Sequence, residues 1–286
     1  MNIEQARQEI QKQKELPTLS PNVQRILDAC ENPDINHGSF ADVLSESPTI
    51  SARLLGLANS AFFGQQGRVH SLTHAISVLG LVTVRSVAVG LALSGVFKVD
   101  DCRHFRADRY WLSAITTALM ASQLNAQVAE AVRPPNDSVY MAGLLHNIGL
   151  LALVYLHPEK MNRALAAYEA DPSRKLADHV RDELGIDQYQ AGVWLGSKWH
   201  LPRDLLLVME FHYDRTYRGD HWPLVLLEGL SAQWANRIVE GAETVAGDPG
   251  ELEPLGLSPE SVGRVIDRIR DKLEGARELA GQFAKA

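Results

Sequence analysis

Apolar residues recur at three- and four-residue intervals from Val23 almost to the carboxyl end of this chain, the spacing of helices with one buried stripe. Val23, Ile26, Leu27 and Cys30 stand at i, i+3, i+4 and i+7 behind Ser20-Pro21, a capping hydroxyl followed by a first-turn proline. The spacing predicts a second short helix from about Ser39, burying Phe40, Val43 and Leu44. A third follows Ser47-Pro48, with Ile50, Leu54, Leu57 and Ala58 on its face. Asn59, a residue type that tolerates a left-handed cap, is expected to close that helix, with Phe62-Phe63 seated as an aromatic plug and Gly64 allowing the turn. Ser71 caps a helix carrying Ala75, Ile76 and Leu79 that stops at Gly80, and residues 81–93 read as a fully buried helix. No alternating run with turn chemistry competes as a strand. The predicted fold class is all-α.

Residues 100–108 form a polar stretch between two apolar blocks, the expected boundary between two helical lobes. Arg103, Arg106 and Arg109 alternate there with Asp100, Asp101 and Asp108, which favours a solvated connector over a phosphate patch. Beyond it the pattern predicts helices over 111–124, across the segment bearing His146 after the rigid Arg133-Pro134-Pro135 loop, over 176–184 up to Gly185, and over 188–199. From Pro202, the positions of Leu205, Val208, Met209 and His212 put this histidine on a buried stripe. Leu227, Leu230, Ser231, Trp234 and Ile238 outline another helix, and 240–254 is expected as a loop. Ser258-Pro259 then starts a last amphipathic helix through Val262, Val265, Ile266, Ile269 and Leu273 to about residue 279. Its stripe is expected to dock on the body of the molecule or on a second copy, since it would otherwise leave a large apolar patch in water.

Composition narrows the class. Of 286 residues, 45% are hydrophobic and 22% charged, the balance of a globular chain. The net charge of -7 and pI near 5.8 count against nucleic acid and anionic membranes as partners. Cys30 and Cys102 make neither a metal-spaced pair nor a disulfide framework, which fits a reducing cytoplasm. The first fifteen residues are polar and mixed in charge, unlike a secretory signal. The apolar run 87–99 is too short and interrupted to span a bilayer.

The candidate chemistry lies in Gly143-Leu144-Leu145-His146-Asn147-Ile148-Gly149. This stretch resembles the "GLLHDIG" core of the HD metal-dependent phosphohydrolases, in which the His-Asp pair holds a divalent metal. Here the aspartate is Asn147. Leu16-Pro17, Ser47-Pro48 with Leu54-Leu55, Asn59-Ser60, Phe63-Gly64, Ala75-Ile76, Leu79-Gly80, Tyr110-Trp111 and Trp199-His200-Leu201-Pro202 follow in the order found in HDOD domains. These are the non-catalytic relatives of HD hydrolases in bacterial signalling proteins. The resemblance implies an HD-like helical bundle with an added N-terminal lobe. It divides the chain into a lead-in over 1–14, an HDOD domain over 15–212 (lobes 15–105 and 106–212), and a helical extension over 213–286 packed on the HD-like lobe.

The resemblance also places a remnant site. The incoming histidine of an active HD cage falls at Ser113, the metal pair at His146-Asn147, the next histidine at Gln188, the one ending the following helix at His212, and the late aspartate near Gln233. Two imidazoles without a carboxylate would hold zinc or iron weakly. The expectation is therefore a buried histidine pair, hydrogen-bonded through Asn147 or Gln188, with no catalytic residues, metal or cofactor. Elsewhere His70 and His74 lack the glutamate and third ligand of a zincin. Gly64-Gln65-Gln66-Gly67 lacks the Lys-Ser/Thr of a P-loop, and no nucleophile elbow stands out. The loop signature of cyclic-dinucleotide HD-GYP phosphodiesterases is absent from 212–218. The reading is a non-enzymatic cytoplasmic regulatory module that binds signalling proteins, with a homo-oligomer compatible. The alternatives are a phosphohydrolase, or a nucleotide or cyclic-dinucleotide sensor that uses the old pocket.

Overall fold

The computed structural model describes residues 19–32, 34–59, 68–97, 99, 101–242 and 248–284. Among them every regular element is helical, as the periodicity predicts. Phe62-Phe63 and the lead-in over 1–14 lie outside the described residues.

Five helices form the N-terminal group: α1 (Pro21–Glu31), α2 (His37–Ser45), α3 (Pro48–Ala58), α4 (Leu72–Leu79) and α5 (Leu81–Ser94). Ser20, Ser47 and Ser71 each cap a helix, accepting from the amides of Val23, Ile50 and His74. α2 starts two residues before the expected Ser39, because Asn36 is its cap and accepts from Ser39 N at 2.9 Å. Gly80, at φ 84°, turns the chain from α4 into α5. Val84, Val87, Ala88, Val89, Leu91, Ala92 and Leu93 of α5 are buried, and with them one charged side chain, Arg85, only 9% exposed.

Asn59 closes α3 as expected, though not through a left-handed backbone. Its backbone is right-handed (φ −92°, ψ 0°), so it makes no left-handed cap. Its side-chain amide instead donates to Leu55 O at 3.0 Å and Val69 O at 2.7 Å, and accepts from Val69 N at 2.9 Å. One primary amide thus pairs with the backbone of a residue ten positions away.

The second half is built on α6 (Ala107–Asn125), buried along most of its length. Next come α7 (Asn136–Leu145), α8 (Ile148–Leu156), α9 (Pro158–Ala170), α10 (Leu176–Leu184), α11 (Gln188–Lys198), α12 (Arg203–Phe211) and α13 (Trp222–Val239). α6 packs against both α7 and α13, α8 against α11, and α5 against α7, which joins the two halves. Gly185 ends α10 in the left-handed region. His200 (φ 56°) ends α11 the same way without being glycine, while Leu201 N reaches back to Gly196 O at 2.9 Å. Residues 136–156 are apolar and long enough to cross a membrane by composition, yet 78% of that window is buried inside the protein and a turn at His146-Asn147 divides it.

Two expectations near the carboxyl end need correction. Within 240–254, expected as loop, Pro249–Leu252 is a helical turn, α14, and Glu253–Leu255 a turn of 3-10 helix. The last amphipathic helix is two helices, α15 (Pro259–Asp271) and α16 (Leu273–Ala284), broken at Lys272. The break redirects the stripe, so that both helices dock on α6 and α16 also reaches α5. Phe283 meets Trp111 edge-on with ring centroids 5.0 Å apart.

Candidate functional site

The pair His146-Asn147 sits in the turn between α7 and α8, and two glycines let that turn pack close. A Cβ at Gly149 would overlap the carbonyl oxygen of Gln188 and the amide of Gly192, where α8 crosses α11 backbone to backbone. A Cβ at Gly143 would lie 2.6 Å from Ala118 Cα on α6. The glycines thus seat the turn against two neighbouring helices, and the histidine follows from that placement.

His146 is 5% exposed and its Nδ1–H donates to Gly143 O at 2.7 Å. His212, at the end of α12, is as deeply buried, and its Nδ1–H donates to Val208 O at 2.8 Å. These roles follow from each partner being a carbonyl, and they leave Nε2 of each neutral ring as an acceptor. The rings meet edge to face with centroids 5.0 Å apart. Tyr189 covers another edge of His212 at 5.1 Å and stacks on Tyr213 at 4.3 Å. Burial pushes His146 down to about 4, against a smaller upward pull from the Gly143 carbonyl. His212 is pushed down to about 3, by burial first and then by repulsion from His146. Both imidazoles are neutral at pH 7.

The expected hydrogen bonds through Asn147 and Gln188 are not formed. The histidines are satisfied by carbonyls of their own helices, whereas the buried side-chain oxygens of Asn147 and Gln188 have no partner. His146, Asn147 and Ser113 line one cavity of about 300 Å³. Ser113 Oγ donates to Asn236 Oδ1, and Asn236 lines the same cavity. Gln233 does not; it accepts from Arg215 Nη2 at 3.0 Å. Asn236 thus stands opposite Ser113 where the resemblance placed Gln233, and their separation of one helical turn shows why the sequence alone blurred the choice. His212 lies behind His146, and Gln188 is buried at the start of α11.

Other side chains went unremarked in the sequence. Arg215 donates to His212 O at 2.9 Å and Gly229 O at 2.7 Å, tying the end of α12 to α13. Arg106 and Arg109, read as part of a connector, form a wall of the cavity, with Arg106 held by Asp108 at 2.9 Å. Glu228 on α13 is fully buried, neither of its oxygens has a partner, and burial holds it well above the usual carboxylate range. Isolated acidic residues carry little sequence signal of burial. His70 and His74 are both exposed.

The HD fold family implies a divalent metal at this turn, and the donor set does not fit one. Such an ion is held by three or more ligands, with anionic charge offsetting its desolvation. The groups at the turn are a neutral imidazole backed by a second, an amide, and a hydroxyl already engaged by Asn236. Of the two carboxylates lining the same cavity, Glu169 is paired with His104 at 2.8 Å, and neither it nor Glu240 joins these groups in a ligand cluster. Among the described residues no three His, Cys, Asp or Glu side chains converge in a way that could hold a metal ion.

An all-α bundle with a His-Asn pair in a glycine-flanked turn between two core helices is an HD-like domain. The chain belongs to the HDOD domain family, whose sequence profile matches residues 16–215. A solved protein from Marinobacter aquaeolei VT8, provisionally described as a signal transduction protein, is 29% identical with a TM-score of 0.83, covering 94% of this chain and 60% of that one. An HDOD domain protein of unknown function from Geobacter sulfurreducens has a TM-score of 0.77 at 20% identity, over 97% of this chain and 96% of its own. A Shewanella amazonensis SB2B protein, provisionally described as a phosphohydrolase, has a TM-score of 0.76 at 22% identity, over 96% of this chain and 97% of its own. An uncharacterized protein of Treponema pallidum is 24% identical over 79% of this chain, which spans 43% of that protein.

Proposed function

We propose that this chain is a regulatory module that acts by binding other proteins and carries a catalytically degenerate HD pocket. The observation that carries this reading is the chemistry of the pocket. His146 and His212 are neutral, and each commits Nδ1 to its own helix. Asn147 replaces a carboxylate with an amide, and Ser113 is spent on Asn236. Hydrolysis at an HD turn needs a metal to activate water and neutralise phosphate, and the turn itself offers no carboxylate to hold one. Kinship with the Marinobacter protein supports a signalling role. The expected setting is a bacterial cytoplasm, in keeping with the two cysteines outside any disulfide.

The test is a rescue experiment. Restoring one carboxylate by Asn147→Asp leaves Ser113, Gln188 and Asn236 in place, so the variant should still bind no stoichiometric metal and turn over no phosphodiester. The new carboxyl, partly buried at the turn, should ionise less readily and cost stability. Metal content and phosphodiesterase activity are measured on both proteins with manganese, iron or zinc supplied. Stoichiometric metal with turnover in either protein would overturn the reading.

A further inference from the structure

A second cavity, of about 200 Å³, opens where the N-terminal group meets the HD-like half. α1 and α5 supply one side, and the first turns of α7 and α12 supply the other. Leu27, Val89, Met141 and Leu205 make its walls apolar. Arg85 stands among them. Nine-tenths buried, it donates through Nη2 to Asn32 O at 2.7 Å and lies over the Phe40 ring, 6.0 Å from the centroid. Its Nε is buried with no partner, and no carboxylate among the described residues pairs with it. A buried guanidinium normally carries an anion.

Two carboxylates border the same cavity without reaching Arg85. Asp137 and Asp204 are the second residues of α7 and α12, Asp137 exposed and Asp204 half-buried, with Asp204 Oδ1 accepting from Leu205 N at 2.9 Å. Neither helix has a side-chain cap. The cavity therefore holds one unpaired cation and two anions across an apolar floor. A plain anion would meet Arg85 but be repelled by the aspartates. A plain cation would meet them but leave Arg85 unpaired. A zwitterion satisfies both charges, and the remaining wall calls for an apolar side chain.

We propose that this cavity binds a single free α-amino acid with an apolar side chain, its carboxylate on Arg85 and its ammonium toward Asp137 and Asp204. Bound there, the ligand touches helices of both halves and raises the stability of the joined form. This site is separate from the His146 cavity and does not depend on the reading of that pocket.

The test uses the full chain, calorimetry and thermal unfolding, with L-leucine, L-methionine and L-phenylalanine as probes. 4-Methylpentanoate, which lacks the ammonium, and 3-methylbutylamine, which lacks the carboxylate, are the controls. Saturable binding of at least one amino acid is expected, with a raised unfolding temperature and each control weaker by about tenfold or more. Arg85→Gln should abolish binding. Since that change touches a buried side chain, the double variant Asp137→Asn with Asp204→Asn, which keeps the acceptor at Leu205, provides an independent arm and should also lose about tenfold. No saturable binding of any amino acid up to about 10 mM overturns the proposal. So does equal binding of 4-methylpentanoate or 3-methylbutylamine, or unchanged affinity in the double aspartate variant.

Discussion

His146 and His212 stay neutral because water has been taken from them and nothing anionic has been put in its place. Their folded pKa values of about 4 and 3 lie below the ordinary value of 6.5. Between these limits the unfolded chain binds protons that the folded chain refuses, so stability falls as the pH is lowered below about 6.5. Each ring contributes a slope of up to about 1.4 kcal/mol per pH unit. His212→Asn removes one titrating ring and should flatten the dependence of the urea midpoint between pH 7 and pH 5. Parallel curves for the two proteins would show that the ring charges without cost. Glu228 has the opposite sign: its raised pKa makes its contribution largest in acid, and it is lost as the pH rises through the folded value.

At the scale of elements, a single side chain decides how α3 hands the chain on. Asn59 pairs both faces of its amide with Leu55 and Val69, so three hydrogen bonds depend on it. Asn59→Ala should cost about 1–3 kcal/mol, the range for stranding backbone groups whose partner has been removed. Asn59→Asp, which keeps the acceptor for Val69 N but turns a carboxylate oxygen toward the carbonyls of Leu55 and Val69, should cost at least as much. Denaturant unfolding checks the order; an alanine variant within about 0.5 kcal/mol of wild type would mean that water replaces the amide. The sequence signalled that Asn59 ends a helix, through its place after the stripe of Leu54, Leu57 and Ala58. It could not signal the clasp, because residue 69 reaches Asn59 only once α4 has folded back.

Across the whole molecule, α16 ties together what sequence order separates. Phe283 lies against Trp111 of α6 and over Gly90 of α5, where a Cβ would sit 2.6 Å from its ring. Arg53 of α3 donates to Gln282 O at 3.1 Å. The C-terminal helix is therefore part of the core that joins the two halves. Phe283→Ala should cost about 3–5 kcal/mol, as for a buried aromatic elsewhere, and lower the unfolding temperature in one cooperative transition. A near-neutral result would mean that α16 is detachable. The sequence foresaw a docked stripe from Ser258 onward but not the break at Lys272, since the apolar spacing continues through Leu273 and only the geometry of α6 requires a change of direction.

What the sequence determined by itself is what local physics encodes. The helical period, the serine and proline starts, and the glycine stops at Gly80 and Gly185 all act within a few residues, and each was legible; the turn at His146-Asn147 was not, because the apolar spacing runs on through it as in one helix. The loss of the carboxylate at Asn147 was legible too, because it is a change of atom type. Tertiary structure alone decided which groups face one another. It set Asn236 and not Gln233 against Ser113 and, among the described residues, left the oxygens of Asn147 and Gln188 without partners and buried Arg85 beside a cavity with no counter-ion. The physical reason is that hydrogen bonds and charge pairs form across helix contacts whose register is set by packing shape, and that register depends on residues a hundred or more positions apart.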